Sequence, residues 1–356
     1  MNAARTFRRN LIEIDENAAM DIPIPRTLAF AILCATLTAC GGAAVKPAPP
    51  APVSIAPAPQ MKVGLALGGG AAKGFAHIGV IKMLEANGIH ADVVAGTSAG
   101  SVVGALYASG MDPYRLQTQA FALDESKIRD VSLFSGGLVK GQKLQDYVNT
   151  LLKNRPMQSF AKPFAAVATE LSTGRRTAFV RGNAGQAVRA SSSIPGVFEP
   201  TPIGGGRYVD GGVVSPVPVD AARELGADFV IAVDISSKAA GNRPGNMVGI
   251  VNQSITIMGQ KLGEQELARA DIVIRPQVGK IGAADFEQKN VAILEGEKAA
   301  QAAMPQIKTK LAAMQRQRAA DWAARHAPPP PPTCEPGLLD RLGRWIGREG
   351  SCAATD

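Results

Sequence analysis

The chain contains 356 residues, of which 46% are hydrophobic and 5% aromatic, and it carries a formal net charge of +8 at pH 7. This length allows one large or two ordinary domains, with ample material for a buried core. The sparse aromatic residues argue against base-stacking surfaces, so we expect no nucleic-acid partner. The basic residues are scattered rather than clustered, which indicates a solvated basic surface; the alternative is a mild attraction to anionic lipid.

The first 60 residues have the pattern of an exported and lipid-anchored protein. An apolar stretch over 27–38 is too short to span a bilayer but has the length of a signal-peptide core. It leads into Leu-Thr-Ala-Cys-Gly at 37–41, which resembles the bacterial lipobox. We predict that an N-terminal extension and signal peptide over 1–39 is cleaved before Cys40, that Cys40 is lipidated, and that 40–60 forms a Pro/Ala-rich tether. The alternative is an ordinary buried cysteine.

Two further features concern the start and the destination of the chain. Charged residues precede the signal-like stretch, so we predict that translation begins at Met20 rather than at Met1. Gly41 follows Cys40 at the position where an Asp would resemble an inner-membrane retention signal. The expected location is therefore the cell envelope, with the outer membrane and its periplasmic side favoured and membrane lipid as the anchor.

Strand-like and helix-like segments alternate beyond the tether, which predicts a single α/β domain over 61–326. The predicted strands are 61–67, 91–95, 164–171, 176–180, 229–234 and 271–275. The predicted helices are 74–87, 101–109, 113–154 with a break near 136–137, and 290–320.

The first predicted strand ends in a glycine-rich loop, Gly68-Gly69-Gly70-Ala71-Ala72-Lys73-Gly74, which opens a helix. Successive backbone N–H groups at a helix N-terminus form a cradle for an anion, and in an acyl hydrolase that anion is the tetrahedral oxyanion. A phosphate loop is disfavoured because Lys73 is followed by Gly74 rather than by Ser or Thr. A dinucleotide site is the other alternative: Asp92 lies near the distance of a ribose-binding acid, but the third glycine is displaced by one residue.

The pentapeptide Gly96-Thr97-Ser98-Ala99-Gly100 lies between a predicted strand and a predicted helix. A G-x-S-x-G sequence in that setting is the pattern of a nucleophile elbow. Gly96 and Gly100 are required there because a Cβ on either side of the serine would collide with neighbouring backbone. Ser98 is therefore the candidate nucleophile.

The candidate base lies in Tyr208-Val209-Asp210-Gly211-Gly212. An aspartate flanked by glycines can approach another backbone closely and present its carboxylate as a base; the alternative is an ordinary turn. The chain has only three histidines. A Ser-Asp-His order would need His326, beside a proline-rich spacer, whereas His77 is expected to be a packed, hydrogen-bonded histidine. We therefore predict a dyad of Ser98 and Asp210.

Taken together, a glycine-rich loop with a basic residue, a G-x-S-x-G and a later D-G-[AG] resemble the patatin-like phospholipase family. The blocks Ala190–Phe198 and Ser215–Val219 also resemble its bacterial members, so the similarity covers roughly 61–276. The resemblance implies a patatin-like three-layer sandwich with a central, mostly parallel sheet. It also implies lipolytic cleavage of phospholipid or lysophospholipid esters, with membrane lipids as substrate. No acidic cluster has the spacing of a calcium-binding loop, so we expect no metal, and we expect no cofactor.

The resemblance implies a role for each motif residue. Ser98 would be the nucleophile and Asp210 the base, acting through an acyl-enzyme. The oxyanion hole would consist of backbone amides of Gly68, Gly69, Gly70 and Ala71. The residues that support the motifs would be Lys73, Gly74, Gly96, Gly100, Gly211 and Gly212. A carboxylesterase or thioesterase for smaller acyl substrates would share these residues, and a non-catalytic, lipid-binding envelope lipoprotein is a further alternative.

Residues 327–356 combine a spacer of five consecutive prolines with a short tail. Cys334 and Cys352 are an even pair in an oxidising compartment, so a disulfide is one expectation and two free thiols the other. Two cysteines without companion histidines do not indicate a zinc site. Apolar side chains over 337–347 fall on one helical face beside arginines, which favours a short helix docked on its own domain over an interfacial helix at a lipid surface.

Overall fold

The structure is a computed structural model that describes residues 56–128, 130, 139–236, 238, 245 and 247–327. The predictions for the signal peptide, Met20, Cys40, Cys334, Cys352 and the tail helix lie outside the described residues and stay predictions. No helix in the described ranges is long and apolar enough to cross a membrane.

Within the described ranges, a sheet of eight strands forms the centre of the domain. The strands are β1 (Val63–Leu67), β2 (Val93–Thr97), β3 (Phe164–Glu170), β4 (Arg176–Phe179), β5 (Thr201–Ile203), β6 (Gly206–Asp210), β7 (Phe229–Val233) and β8 (Ile272–Ile274). Their order is β5-β6-β3-β2-β1-β7-β8, and β4 pairs with β3. The neighbours β3, β2, β1, β7 and β8 run parallel, whereas β4, β5 and β6 pair antiparallel. The predicted α/β class with a mostly parallel central sheet is therefore confirmed.

Helices cover both faces of this sheet. They are α1 (Phe75–Ala86), α2 (Ala99–Ala108), α3 (Pro113–Ala122), α4 (Gln142–Leu151), α5 (Ala184–Ser191), α6 (Val219–Glu224), α7 (Met247–Leu267) and α8 (Lys289–Arg325). Neighbouring strand residues point to opposite faces, so Leu65 joins one apolar cluster with residues of α1, α2 and α8, and Ala66 joins a second cluster with residues of α6 and α7. The two clusters make the fold a three-layer sandwich.

Several element boundaries differ from those predicted. The helical stretch predicted over 113–154 comprises α3 and α4, and its predicted break lies outside the described residues. The final helix α8 runs on to Arg325 despite an internal proline, Pro305. Helix α7 was not predicted at all, since its 21 residues include three glycines and a run of β-branched residues that weaken the helical signal.

One feature of β3 brings two distant parts of the chain together. Val167 pairs with Thr97 of β2 on one edge and with Ala178 of β4 on the other, and the next residue, Ala168, pairs with Asp210 of β6 and again with β4. Because β4 occupies one edge throughout, β2 and β6 lie on the same edge of β3 and meet end to end. The residue after Thr97 therefore lies next to the end of β6.

Candidate active site

Ser98 occupies the sharp turn between β2 and α2. Its backbone has φ of 52° and ψ of −123°, a left-handed conformation that is strained for a residue with a side chain. A Cβ at Gly96 would lie 2.4 Å from the Gly100 carbonyl oxygen, and a Cβ at Gly100 would lie 2.2 Å from the Leu67 carbonyl oxygen. These contacts are the steric reason for the two glycines that flank the serine, as expected for a nucleophile elbow.

A second serine holds this turn in place. The Ser98 backbone N–H donates to Ser191 Oγ at 2.9 Å, and the Ser191 hydroxyl donates to the Val167 carbonyl at 2.5 Å. Ser191 is fully buried at the end of α5. The block Ala190–Phe198 was recognised in the sequence without a role for Ser191, because a serine's bonding partners follow from the tertiary structure.

Asp210 lies at the end of β6, within hydrogen-bonding reach of the Ser98 side chain. Its carboxylate accepts from the Gly212 N–H at 2.7 Å, and its own N–H donates to the Ser193 carbonyl at 2.8 Å. Only 6% of its surface and 6% of that of Ser98 are exposed. Burial raises the pKa of Asp210 to about 6, against the opposing effect of the hydrogen bonds from Ser98 and Gly212. The structure thus brings the two predicted dyad residues together.

The glycine-rich loop passes beside the serine, with the Cβ of Ser98 3.3 Å from the place a Cβ would take on Gly69. Its first two amides are already engaged: Gly68 N–H donates to the Val233 carbonyl and Gly69 N–H to the Pro216 carbonyl, each at 3.0 Å. The prediction that these two amides serve an oxyanion is therefore wrong, since each N–H has one hydrogen to donate.

The next two amides of the loop differ. Within the described residues, the N–H groups of Gly70 and Ala71 have no backbone acceptor, and Ala71 has a φ of 52°. Ala71 also lines the cavity that contains Ser98. Ala99, the residue after Ser98, lines the same cavity at the first position of α2, where an N–H has no helical partner. The amides of Gly70 and Ala71 therefore remain candidates for an oxyanion hole. The amide of Ala99 is a third candidate, which the sequence analysis did not name.

Two ionisable side chains next to the site are buried, His77 of α1 and Lys73 of the glycine-rich loop. The His77 Nε2 bonds the Gly68 carbonyl at 2.8 Å, and burial lowers the pKa of His77 to about 4. The imidazole is therefore neutral and donates from Nε2, which confirms the expectation of a packed, hydrogen-bonded histidine. Lys73 is buried, and that burial lowers the pKa of its amine.

A short segment after Asp210 links the loops of the site. Thr97 Oγ1 donates to the Ser215 carbonyl at 2.8 Å, and the carboxylate of the buried Glu266 accepts from the Ser215 hydroxyl and from the Val217 N–H. Burial raises the pKa of Glu266 to about 7. Glu266 escaped the sequence analysis because it lies near the end of α7, the helix that was not predicted.

Ser98 opens onto an apolar cavity of about 350 Å³. Its walls consist mainly of large hydrophobic side chains, among them Phe75, Leu123, Leu144, Ile194, Phe198 and Phe286. Within the described part of the chain, no charged side chain lines it. Such a cavity excludes charged groups and suits a hydrocarbon chain attached to an ester held at Ser98.

Neither a dinucleotide site nor a catalytic histidine finds support in this geometry. Asp92 lies at the opposite end of β2 from Ser98, where its carboxylate accepts from the Val63 N–H at 2.7 Å, so it cannot bind a ribose at the glycine loop. His90 pairs with Glu85, and His326 stacks on Trp322 at the end of α8. None of the three histidines lines the cavity.

Comparison with known proteins places this site in a family. A family model described as patatin-like phospholipase matches residues 65–223, a range that contains Ser98, Asp210 and the glycine-rich loop. Residues 65–223 form a patatin-like phospholipase domain. An uncharacterised NTE family protein of Mycobacterium tuberculosis is 35% identical over 197 residues, which cover 54% of each chain. This patatin-like chain thus spans about half the length of that relative.

Two further similarities complete the comparison. A lysophospholipase of Pyricularia oryzae is 35% identical over 181 residues, which cover 49% of this chain and 12% of that protein. Among solved structures, VipD from Legionella pneumophila aligns with a TM-score of 0.48 and 15% identity, over 72% of this chain and 68% of VipD.

Alanine substitutions at two neighbouring buried serines of this patatin-like domain test the hydrogen bond that holds the turn at Ser98. Replacing Ser191 with Ala leaves the Ser98 N–H and the Val167 carbonyl buried without partners, which costs about 1–3 kcal/mol for each group. We expect thermal unfolding several degrees lower and slower labelling of Ser98 by a covalent serine probe. Ser192→Ala is the control, because the Ser192 hydroxyl has no partner among the described residues. Equal melting temperatures for the two variants would contradict this role of Ser191.

Proposed function

We propose that this chain is a lipolytic acyl hydrolase that cleaves the acyl esters of phospholipids or lysophospholipids. The observation that carries the proposal is the placement of Ser98, in a strained elbow and in reach of a buried carboxylate, at the wall of an apolar cavity. The patatin-like phospholipase domain supports the same substrate class.

The reaction we propose has two steps, and Asp210 is deprotonated again at the end of each step. Asp210 accepts the Ser98 proton as Oγ attacks the ester carbonyl, and amides of Gly70, Ala71 and Ala99 donate to the oxyanion. Collapse of this intermediate breaks the ester bond, and the leaving alcohol takes the proton from Asp210. Water then gives its proton to Asp210, attacks the acyl-enzyme and releases the fatty acid, while the proton returns to Ser98.

The first test removes each member of the dyad. We expect purified Ser98→Ala and Asp210→Asn to lose several orders of magnitude in kcat on a chromogenic acyl ester and on lysophospholipid vesicles, because such groups act as a unit. Asp321→Asn, a change from carboxylate to amide on the exposed face of α8, controls for the substitution itself. Wild-type turnover in either dyad variant would refute the mechanism.

The choice of substrates separates the proposal from its alternatives. Turnover of small esters or thioesters with no release of fatty acid from phospholipid or lysophospholipid would indicate a carboxylesterase or thioesterase. An active-site serine that neither turns over substrate nor reacts with a covalent serine probe would indicate a lipid-binding protein.

The proposed base also predicts the acid limb of the pH profile. Asp210 acts only when deprotonated, and its pKa is raised to about 6. We therefore expect kcat/KM to be constant above neutrality, to reach half its maximum near pH 6 and to fall about tenfold for each pH unit below that. A limb that persists in Glu266→Gln is assigned to Asp210, since the second raised carboxyl is then absent. A half-maximum near pH 4 would contradict a buried Asp210 base.

We also propose that the domain is held at the cell envelope, on the periplasmic side of the outer membrane, by acyl chains on Cys40. The lipobox-like sequence and the Pro/Ala-rich tether support this placement. In a bacterial host, we expect Cys40→Ala to lose metabolic labelling by palmitate and to leave the membrane fraction. Cys34→Ala is the matched control, because Cys34 lies in the apolar stretch 27–38 of the predicted signal peptide. Unchanged labelling of Cys40→Ala would refute lipidation at this residue.

A further inference from the structure

The segment Ser215–Val217 follows the Asp-Gly-Gly motif, and we call it the bridge segment. It contacts the turn after Asp210, the end of β2 before Ser98, and the glycine-rich loop. The Ser215 N–H donates to the Gly211 carbonyl at 2.8 Å, in the turn that carries Asp210. The Ser215 carbonyl accepts from Thr97 Oγ1 at 2.8 Å, directly before the nucleophile. The bridge segment therefore bonds the residue next to each member of the dyad.

The same segment also fixes the oxyanion loop. The Pro216 carbonyl accepts from the Gly69 N–H at 3.0 Å. A methyl group of Val217 lies 3.2 Å from the place a Cβ would take on Gly68, so the segment and the loop are in close contact. A shift of the bridge segment would consequently move the oxyanion amides relative to Ser98.

A single side chain from another element holds both ends of this segment. Glu266 Oε1 accepts from the Ser215 hydroxyl at 2.5 Å, and Oε2 accepts from the Val217 N–H at 2.8 Å. The residue is 5% exposed, and no ion pair to it occurs within the described residues; the nearby Arg269 pairs with Asp220 instead. Burying a carboxylate without a cation costs free energy, and the hydrogen bonds from Ser215 and Val217 offset part of that cost.

We propose that Glu266 is a positioning residue that holds the bridge segment and, through it, sets the distances between Ser98, Asp210 and the oxyanion amides. The proposal rests on the function proposed above. In this proposal, Glu266 acts through the hydrogen bonds that it makes and not through its negative charge. A protonated Glu266 keeps both hydrogen bonds if the Ser215 hydroxyl reverses, because one oxygen then donates to Ser215 Oγ and the other still accepts from Val217.

The same reasoning gives opposite expectations for two substitutions at this position. In Glu266→Gln, the amide oxygen accepts from the Val217 N–H and the amide nitrogen donates to Ser215 Oγ, so the bridge segment stays in place. In Glu266→Ala both bonds are lost and a cavity replaces the side chain. A displacement of about 1 Å in a catalytic site costs on the order of 100-fold in rate.

The test measures kcat, KM and the labelling rate of Ser98, each normalised to the number of labelled active sites. We expect Glu266→Ala to lower kcat by about 10- to 100-fold with KM changed far less, and Glu266→Gln to recover most of that loss. Ser215→Ala removes only one of the two bonds, so it should fall between wild type and Glu266→Ala and remains informative if Glu266→Ala does not fold. Glu264→Ala, on the exposed face of the same helix, is the control.

Two results would overturn the proposal. One is a site-normalised kcat of Glu266→Ala or Ser215→Ala equal to wild type, even with a lower melting temperature, which would make Glu266 a purely structural residue. The other is an equal loss in Glu266→Gln and Glu266→Ala, which would show that the charge matters and not the hydrogen bonds. If wild type labels at Ser98 but turns over none of the esters, the proposed function fails while the labelling rates still decide the role of Glu266.

Discussion

The site depends on the way in which β3 is shared between two strands. Strand β2 pairs with β3 as far as Thr97, and β6 takes over the same edge with Asp210 as the partner of the next residue of β3. Two residues that are 112 positions apart in sequence are therefore placed by the pairing of the strands themselves. The register of two strand pairs therefore brings Ser98 and Asp210 together.

This arrangement leaves strained and buried polar groups that other residues must stabilise. The positive φ of Ser98 is tolerated because Ser191 binds its N–H, and Ser101 binds its carbonyl from the first turn of α2. The glycine-rich loop is held through the Gly68 carbonyl by His77 and through the Gly69 N–H by the bridge segment. Each of these supporting side chains is itself buried and hydrogen-bonded, so the cost of the strain is spread over several elements rather than concentrated at the serine.

The sequence predicted the parts of the site that are local and left out those that are tertiary. The elbow around Ser98 and the Asp-Gly-Gly turn can be read from consecutive residues, because their steric requirements concern neighbours in the chain. The acceptors of the Gly68 and Gly69 amides are the Val233 and Pro216 carbonyls, far away in sequence, and no pattern within the loop could show that these amides were engaged. Glu266 was missed for a related reason: a lone glutamate in an unrecognised helix becomes significant only when its partners are known.

In the proposed mechanism, burial explains how Asp210 could do the work that histidine does in a Ser-His-Asp triad. An ordinary aspartate, with a pKa near 3.8, is too weak a base to assist a serine hydroxyl at neutral pH. The pKa of Asp210 is raised to about 6, close to the value of roughly 6.5 of a free imidazole. At pH 7 such a carboxylate is still mostly deprotonated, yet it binds a proton about 100-fold more tightly than an exposed aspartate does. In the proposed mechanism, the burial of Asp210 therefore supplies the basicity that the dyad requires.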